Sequence, residues 1–361
     1  MGTLGTSVAS SMEKTNHWIR GAVRALRRDG APHAAPPGAG TPVAGAPGAA
    51  PPHTAPAGTS PPDGALIARP ADVAPVSHAA LPADATGAVI IPAHNESAVI
   101  GRTLRSLAPL TALDGVEVIV ACNGCSDATA DIARGFPGVQ VAETDEASKP
   151  VGLNLGDRMA TAWPRLYLDA DIEVHPTAVL AVFEALVQPG VLAARPRHVY
   201  DAEHATGPVR SYYRARSRIG GPASRLWGAG GYAASEEGHR RFAEFPRVTA
   251  DDSWFDEQFS AQEKRVVATA PMRVRTPRDT AALLAVLTRQ RRGCTEIGIP
   301  AQTASRGAAL LASIRGPQSA LDVAWYAVLT IASRGRAVRA RRRGSGWERD
   351  TSSRVGIGSV R

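Results

Sequence analysis

Tyr167-Leu168-Asp169-Ala170-Asp171 is an apolar run that ends in two carboxylates one residue apart. It closes the fourth of a series of short apolar runs, each linked to the next by residues at helical spacing. In such an alternation the ends of parallel strands face a ligand crevice. Residues at i and i+2 of an extended chain share a face, so both carboxylates address one ligand. An octahedral Mg²⁺ or Mn²⁺ typically takes one or two carboxylates plus diphosphate oxygens, which makes this pair a candidate metal site.

The earlier runs set the frame. Residues 88–91, Ala-Val-Ile-Ile, form a continuous apolar stretch of the kind found in a parallel sheet buried on both faces, and it stops at Pro92. Residues 96–107 then place Val99, Ile100, Leu104 and Leu107 at helical spacing, with Asn95 positioned to cap the start. The unit repeats with strands expected at 116–121, 139–142, 165–168 and 191–194 and helices at 126–133, 150–160 and 176–186. Strand and helix alternating through short links predicts a doubly wound α/β sheet with helices on both faces. Beyond Arg195 the rhythm changes. Helices are expected at 207–219, 235–242 and 279–292, a Gly-rich turn at 227–233, and a strand at 265–274. The first half reads as nucleotide-binding and the second as receiving a partner substrate.

Composition bounds the rest. Of 361 residues, those from 31 to 82 are dominated by Ala, Pro, Gly and Thr, too poor in aliphatic side chains to build a core. The formal charge of +8 comes with basic residues gathered at Arg20, Arg24, Arg27, Arg28 and across 334–343, without a nucleic-acid-binding motif. Nucleic acid is therefore not expected as a partner, whereas peripheral contact with an anionic membrane surface is. Residues 18–28 and 320–332 could lie on such a surface, the preferred alternatives being a frayed tail for the first and an ordinary packed helix for the second. No run reaches the roughly 18–20 apolar residues that span a bilayer, and no signal peptide opens the chain. Together with only three cysteines, Cys122, Cys125 and Cys294, this predicts a cytoplasmic protein at the inner face of the cell membrane. The C-x-x-C spacing of Cys122 and Cys125 permits a redox or zinc reading, but the pair lies in a turn with a better one.

That turn is Asn123-Gly124-Cys125-Ser126-Asp127, which follows the second strand as Pro92-Ala93-His94-Asn95-Glu96 follows the first. Glu96 can accept hydrogen bonds from a ribose or base. Asp127 can accept from a base edge or cap the next helix. Asp251-Asp252 is a second acidic pair, and adjacent carboxylates raise the proton affinity of one of them, a useful property in a general base. Lys149 and Asn154 supply a cation and an amide before the fourth strand. Arg289, Arg291 and Arg292 are cations that bind phosphates or suit a helix C-terminus.

In this order, Pro92 to Glu96, Asn123 to Thr129, Lys149, Asn154, Asp169-Ala170-Asp171 and Asp251-Asp252 resemble the blocks of family 2 glycosyltransferases. The resemblance implies the GT-A fold, a doubly wound, mixed and mostly parallel sheet with added C-terminal helices. It also implies a donor that is a nucleotide-diphospho-sugar, with Pro92, Glu96, Asn123 and Asp127 around base and ribose, Lys149 and Asp169 on the nucleotide sugar, and Asp171 on Mg or Mn. Asp252 then becomes the general base for an acceptor hydroxyl in a single inverting displacement. Asp251 and the Trp227 to Gly231 segment, Gly230 included, would lie on the acceptor side, and Arg289 and Arg292 are candidate diphosphate contacts. The acceptor is a lipid-linked, saccharide or small molecule. Expected boundaries are 1–85 for a disordered N-terminal region, 86–195 for the donor half, 196–295 for the acceptor half, 296–340 for a helical segment and 341–361 for a basic tail.

Asp251 departs from the family's Glu, and Asn123 stands where many members carry Asp. Gln290-Arg291-Arg292-Gly293 echoes the late Gln-x-x-Arg-Trp motif only in part, which points to transfer of a single hexose rather than processive synthesis. Two alternatives are a nucleotidyltransferase of similar fold and a catalytically inactive nucleotide-sugar-binding scaffold.

Overall fold

The computed structural model describes residues 81–219, 224–299 and 303–343. The expected membrane-surface segment at 18–28, the N-terminal linker as far as residue 80 and the tail beyond 343 lie outside them. Strands β1 (Gly87–Ala93), β2 (Val116–Asn123), β3 (Val139–Thr144), β4 (Arg165–Leu168), β5 (Ala193–Asp201), β6 (Gly231–Ala234) and β7 (Lys264–Arg275) form one sheet in the order β3-β2-β1-β4-β6-β5-β7. The first four are parallel, β5 is parallel to β7, and β6 runs antiparallel to both of its neighbours. This is the expected mixed, mostly parallel α/β sheet. The chain winds outward from β1 through β2 to β3, then returns to place β4 on the other side of β1. The ends of β1 and β4 therefore flank a topological switch point, where open α/β sheets bind ligands.

The helices are α1 (Ile100–Leu107), α2 (Thr129–Arg134), α3 (Lys149–Met159), α4 (Pro176–Leu186), α5 (Gly207–Ile219), α6 (Glu236–His239), α7 (Asp251–Asp256), α8 (Thr280–Glu296), α9 (Thr303–Ala312) and α10 (Pro317–Arg343). Alternate side chains of the strands serve opposite faces. Val89, Ile91, Val118, Val120, Leu166 and Leu168 pack with Ile100 and Leu104 of α1 and with Val179 and Phe183 of α4. Ala88, Ile90, Ile119 and Tyr167 pack on the other face with Leu153 of α3, Phe245 and Phe255. Covering both faces explains the unbroken apolar runs of the sequence, each buried aliphatic side chain contributing about 1.5–3 kcal/mol. A third cluster joins Tyr200, Val209, Tyr212, Leu283, Leu287, Tyr326 and Leu329, and it fastens the C-terminal helices to α5.

Several boundaries differ from expectation for local reasons. Helix α1 starts at Ile100 rather than residue 96, after a Val99 N-cap with φ −129°, and Asn95 ahead of it adopts a left-handed φ of 53°. The Asn95 side chain caps nothing on α1, whose N-cap Val99 has no side-chain bond. Residues 227–233, expected as a turn, end in β6, whose Gly, Tyr, Ala and Ala carry little strand signal. The strand expected at 191–194 runs on to Asp201 as β5, with Arg195 and His198 buried inside it. The helix expected at 235–242 contracts to α6, and Asp251-Asp252 opens α7.

Candidate active site

The loops that leave β1 and β2 are laced together. His94 Nδ1 lies 2.5 Å from the Asn123 carbonyl, and Asn95 Oδ1 accepts from the Ser126 amide at 2.7 Å. The Glu96 amide donates to Thr129 Oγ1 at 2.7 Å, and the Ser97 amide to Asp127 Oδ2 at 3.1 Å. Asp127 also accepts from the Thr129 amide at 3.0 Å and from the Thr129 hydroxyl. Although burial opposes it, these bonds hold the Asp127 carboxyl below the usual range. Asp127 thus spends its oxygens on capping and on bracing the neighbouring loop. Pro92, Glu96 and Asn123 are buried between these loops. Asn123 Nδ2 donates to the Ser148 carbonyl at 2.7 Å, while its Oδ1 is enclosed with no hydrogen-bond partner among the described residues. An enclosed, unsatisfied acceptor costs roughly 1–3 kcal/mol until a donor reaches it.

Lys149, the first residue of α3, joins the two acidic pairs. Its Nζ lies 2.7 Å from Asp169 Oδ1 and 2.9 Å from Asp251 Oδ2. Burial alone would lower its pKa, yet the two carboxylates raise it above the usual lysine range, so the ammonium stays charged. Asp251 had no visible duty in the sequence. It is buried, and besides Lys149 it accepts the Tyr232 hydroxyl of β6 at 2.7 Å.

Asp252 takes a different environment. Its Oδ2 accepts from the Gly228 amide at 2.7 Å and its Oδ1 from the Ser253 amide at 2.6 Å. Burial first, then the neighbouring Asp251, raise its pKa above the ordinary carboxylate value, with Lys149 opposing. The Gly228–Gly231 loop lies between the two acidic segments. Gly230 has φ +75°, and a Cβ there would lie 2.6 Å from Ile172 side-chain atoms, so the turn beside Asp169 requires Gly.

The turn that carries Asp171 is anchored to α1. Thr103 Oγ1 donates to the Ala170 carbonyl at 2.8 Å, and Arg102 Nη2 to the Asp171 carbonyl at 3.1 Å. Asp169 and Asp171 are both partly exposed at the end of β4. Among the described residues, no group of three or more His, Cys, Asp or Glu side chains is arranged for a metal. The carboxylate oxygens of Asp169 and Asp171 are hard donors of the kind a divalent cation takes together with substrate oxygens and water.

Asn154 and Arg291 take structural places. Asn154 clips the loop before α7, donating to the Phe245 carbonyl at 3.0 Å and accepting its amide at 2.8 Å. Arg291 donates to Ser333 of α10 at 2.8 Å, while Arg289 and Arg292 are half-buried on the same helix. A Cβ on Gly293 would lie 2.8 Å from the Ala250 Cβ, leaving no room for the Trp of the late motif so close to Asp251. Cys122, Cys125 and Cys294 are free thiols, and burial beside Cys125 pushes Cys122 up to about 12. Such a thiol is inert at neutral pH.

Residues 88–241 match the model of glycosyl transferase family 2. The chain is 33% identical over 107 residues to validoxylamine A glucosyltransferase of Streptomyces hygroscopicus subsp. jinggangensis (strain 5008), a match that covers 28% of this chain and 25% of that protein. The match therefore spans about a quarter of that relative's length. Among solved structures, the mannosyltransferase PcManGT from Pyrobaculum calidifontis in complex with GDP-Man and Mn²⁺ aligns with a TM-score of 0.49 at 19% identity, covering 70% of this chain and 87% of that one. Glucosyl-3-phosphoglycerate synthase from Mycobacterium tuberculosis, in complex with Mn²⁺, UDP-glucose and phosphoglyceric acid, aligns with a TM-score of 0.42 at 24% identity, covering 61% and 82%.

Proposed function

Residues 88–241 belong to glycosyl transferase family 2, and from that premise we propose that the chain transfers a single hexose from a nucleotide-diphospho-sugar to an acceptor hydroxyl with inversion. The observation that carries this reading is the Lys149 bridge, which gathers Asp169 and Asp251 into one site from segments far apart in the chain. Pro92, Glu96, Asn123 and Asp127 form the walls for base and ribose, and the enclosed Asn123 Oδ1 supplies an acceptor for a base N–H. Lys149 and Asp169 hold the sugar nucleotide, with Arg289 and Arg292 as diphosphate contacts.

Asp171 is the residue that would hold Mg²⁺ or Mn²⁺, which supplies charge neutralisation for a departing diphosphate. Asp252 Oδ takes the proton of the acceptor hydroxyl as that oxygen bonds to the anomeric carbon and the bond from that carbon to the diphosphate oxygen breaks. A carboxylate offers about four lone-pair positions, so the Gly228 and Ser253 amides fix its direction without exhausting its capacity. Its raised pKa makes it a better base than an ordinary aspartate. Asp251, neutralised by Lys149, and the Gly230 loop shape the acceptor side.

The exposed Leu321, Val328, Ile331 and Val338 share one face of α10, which supports the reading of a peripheral membrane contact. Among the described residues no helix is long and apolar enough to cross a membrane. Co-sedimentation with anionic vesicles that weakens with salt is the expected behaviour, and no binding at low salt would remove this part of the reading. For the transfer itself, Asp252→Asn should lower kcat by about 10²–10⁴-fold while nucleotide affinity stays within about twofold. Proton NMR of the product should show an anomeric configuration opposite to that of the donor. Retention, or full activity in Asp252→Asn, would contradict the mechanism.

A further inference from the structure

Beside Asp252 lies a group of cations without matching anions. Arg225 is 9% exposed and its Nε is enclosed with no hydrogen-bond partner among the described residues. Its guanidinium sits 4.6 Å over the Trp227 ring, and Arg306 of α9 lies 5.7 Å from the same ring. Arg216 of α5 lies 5.5 Å over Tyr200, with one Nη 3.4 Å from where a Cβ on Gly228 would stand. Among the described residues Arg216, Arg225 and Arg306 form no ion pair. Asp256 acts on Arg225 from nearby but is already paired with Lys264 at 3.1 Å and bonded by the Leu226 amide at 2.8 Å.

His198 adds a neutral donor. It is 6% exposed on β5, and Arg195 Nη1 lies 3.2 Å from its Nδ1. An arginine only donates, so Nδ1 accepts and the neutral ring carries its proton on Nε2. That Nε2 is enclosed and without a partner among the described residues. Burial and the cations Arg195, Arg225 and Arg216 hold the imidazole neutral, well below its usual pKa. Arg225 Nε and His198 Nε2 are thus two enclosed donors with no acceptor among the described residues, and they lie beside Arg306 and beside Arg216, which is bonded to the Tyr212 side chain. Leaving the two enclosed donors unanswered is costly, and the ring contacts of the guanidiniums offset it only in part. An oxyanion with several acceptor oxygens answers all of them.

We propose that His198, Arg216, Arg225 and Arg306 form a pocket for a phosphate group carried by the acceptor. The assignment rests on the transferase reading above and names its second substrate's class. The acceptor is favoured over the donor diphosphate by connectivity. The Tyr200 hydroxyl donates to the Gly228 carbonyl at 3.3 Å, and the Gly228 amide donates to Asp252, the base that must touch the acceptor hydroxyl. The donor diphosphate is already provided for at Asp171.

The test is isothermal titration of the full chain with inorganic phosphate, alone and with saturating UDP or GDP plus Mn²⁺. Wild type should bind phosphate in both conditions. Arg225→Gln and His198→Leu should each weaken phosphate at least tenfold and leave nucleotide affinity within twofold. Should either fail to fold, Arg306→Gln, which removes a partly exposed side chain, should still weaken phosphate severalfold. Phosphate binding that is unchanged in the variants overturns the pocket. Displacement of phosphate by nucleotide, with the variants losing both, reassigns the cluster to the donor and overturns the acceptor claim. Variant-sensitive phosphate binding in a protein that binds no nucleotide under any metal keeps the pocket, overturns the acceptor role, and separates this failure from that of the pocket itself.

Discussion

Two aspartates adjacent in sequence do different work because their neighbours differ. Asp251 faces Lys149 and Tyr232 and stays paired, whereas Asp252 faces backbone amides and is pushed toward higher proton affinity. The acid limb of the kcat/KM profile should therefore lie above the ordinary aspartate pKa of about 3.9. Lys149→Met removes the cation that holds the Asp252 pKa down, so the limb should shift to still higher pH. The same substitution strands the buried Asp251 carboxylate, and urea unfolding should show a loss of about 2–4 kcal/mol at neutral pH. Because the folded pKa of Lys149 is raised, its contribution is full below the usual lysine range and is lost only as pH climbs through and beyond it. A Lys149→Met protein as stable as wild type would show that the bridge matters little. The acidic pairs were legible in the sequence as isolated carboxylates. Tyr232 and the Gly228 amide were not, because a contact made by a backbone N–H or by a strand 19 residues away leaves no local pattern.

At the level of elements, the ends of β1, β2 and β4 supply the site and α3 ties it together through its first residue. The C-terminal helices are held by a different device. Asp322 of α10 is fully buried and meets Arg214 at 2.7 Å and Arg218 at 3.0 Å, both on α5. Burial opposes ionisation, but the bonds from Arg214 and Arg218 win and lower its pKa. Stability from this group is therefore present above the ordinary aspartate pKa and is lost as pH falls through the lowered one. Asp322→Ala should cost about 3 kcal/mol near pH 7 in chemical unfolding, with the gap to wild type closing as pH falls below the ordinary aspartate range and through the lowered pKa. A constant gap across that range would mean that packing, not charge, is what the substitution removes. Strands β1 to β4 were readable because apolar runs covered on both faces need no alternation. β6 was not, since small residues packed in a sheet centre look like a turn, and the length of β5 was masked by Arg195 and His198. Those two buried polar residues inside a strand were the available sign of the cation cluster.

For the molecule as a whole, one sheet carries two functional zones, a laced pair of loops beside β1 and β2 and an acidic and cationic zone between β4, β6 and α7. The Lys149 bridge ties Asp169 to Asp251 within the second zone, and the proposed transfer divides the labour between Asp171 and Asp252. The sharpest check is the thermal stability of the full chain with UDP, GDP and their sugars, with and without Mn²⁺, alongside Asp171→Ala. One nucleotide class should raise the melting temperature only when Mn²⁺ is present, by an amount that grows with ligand concentration, and Asp171→Ala should abolish the shift while leaving the unliganded melting temperature nearly unchanged. No stabilisation by any nucleotide under any metal condition, or an undiminished shift in Asp171→Ala, would contradict metal-assisted binding of a nucleotide-diphospho-sugar at this site.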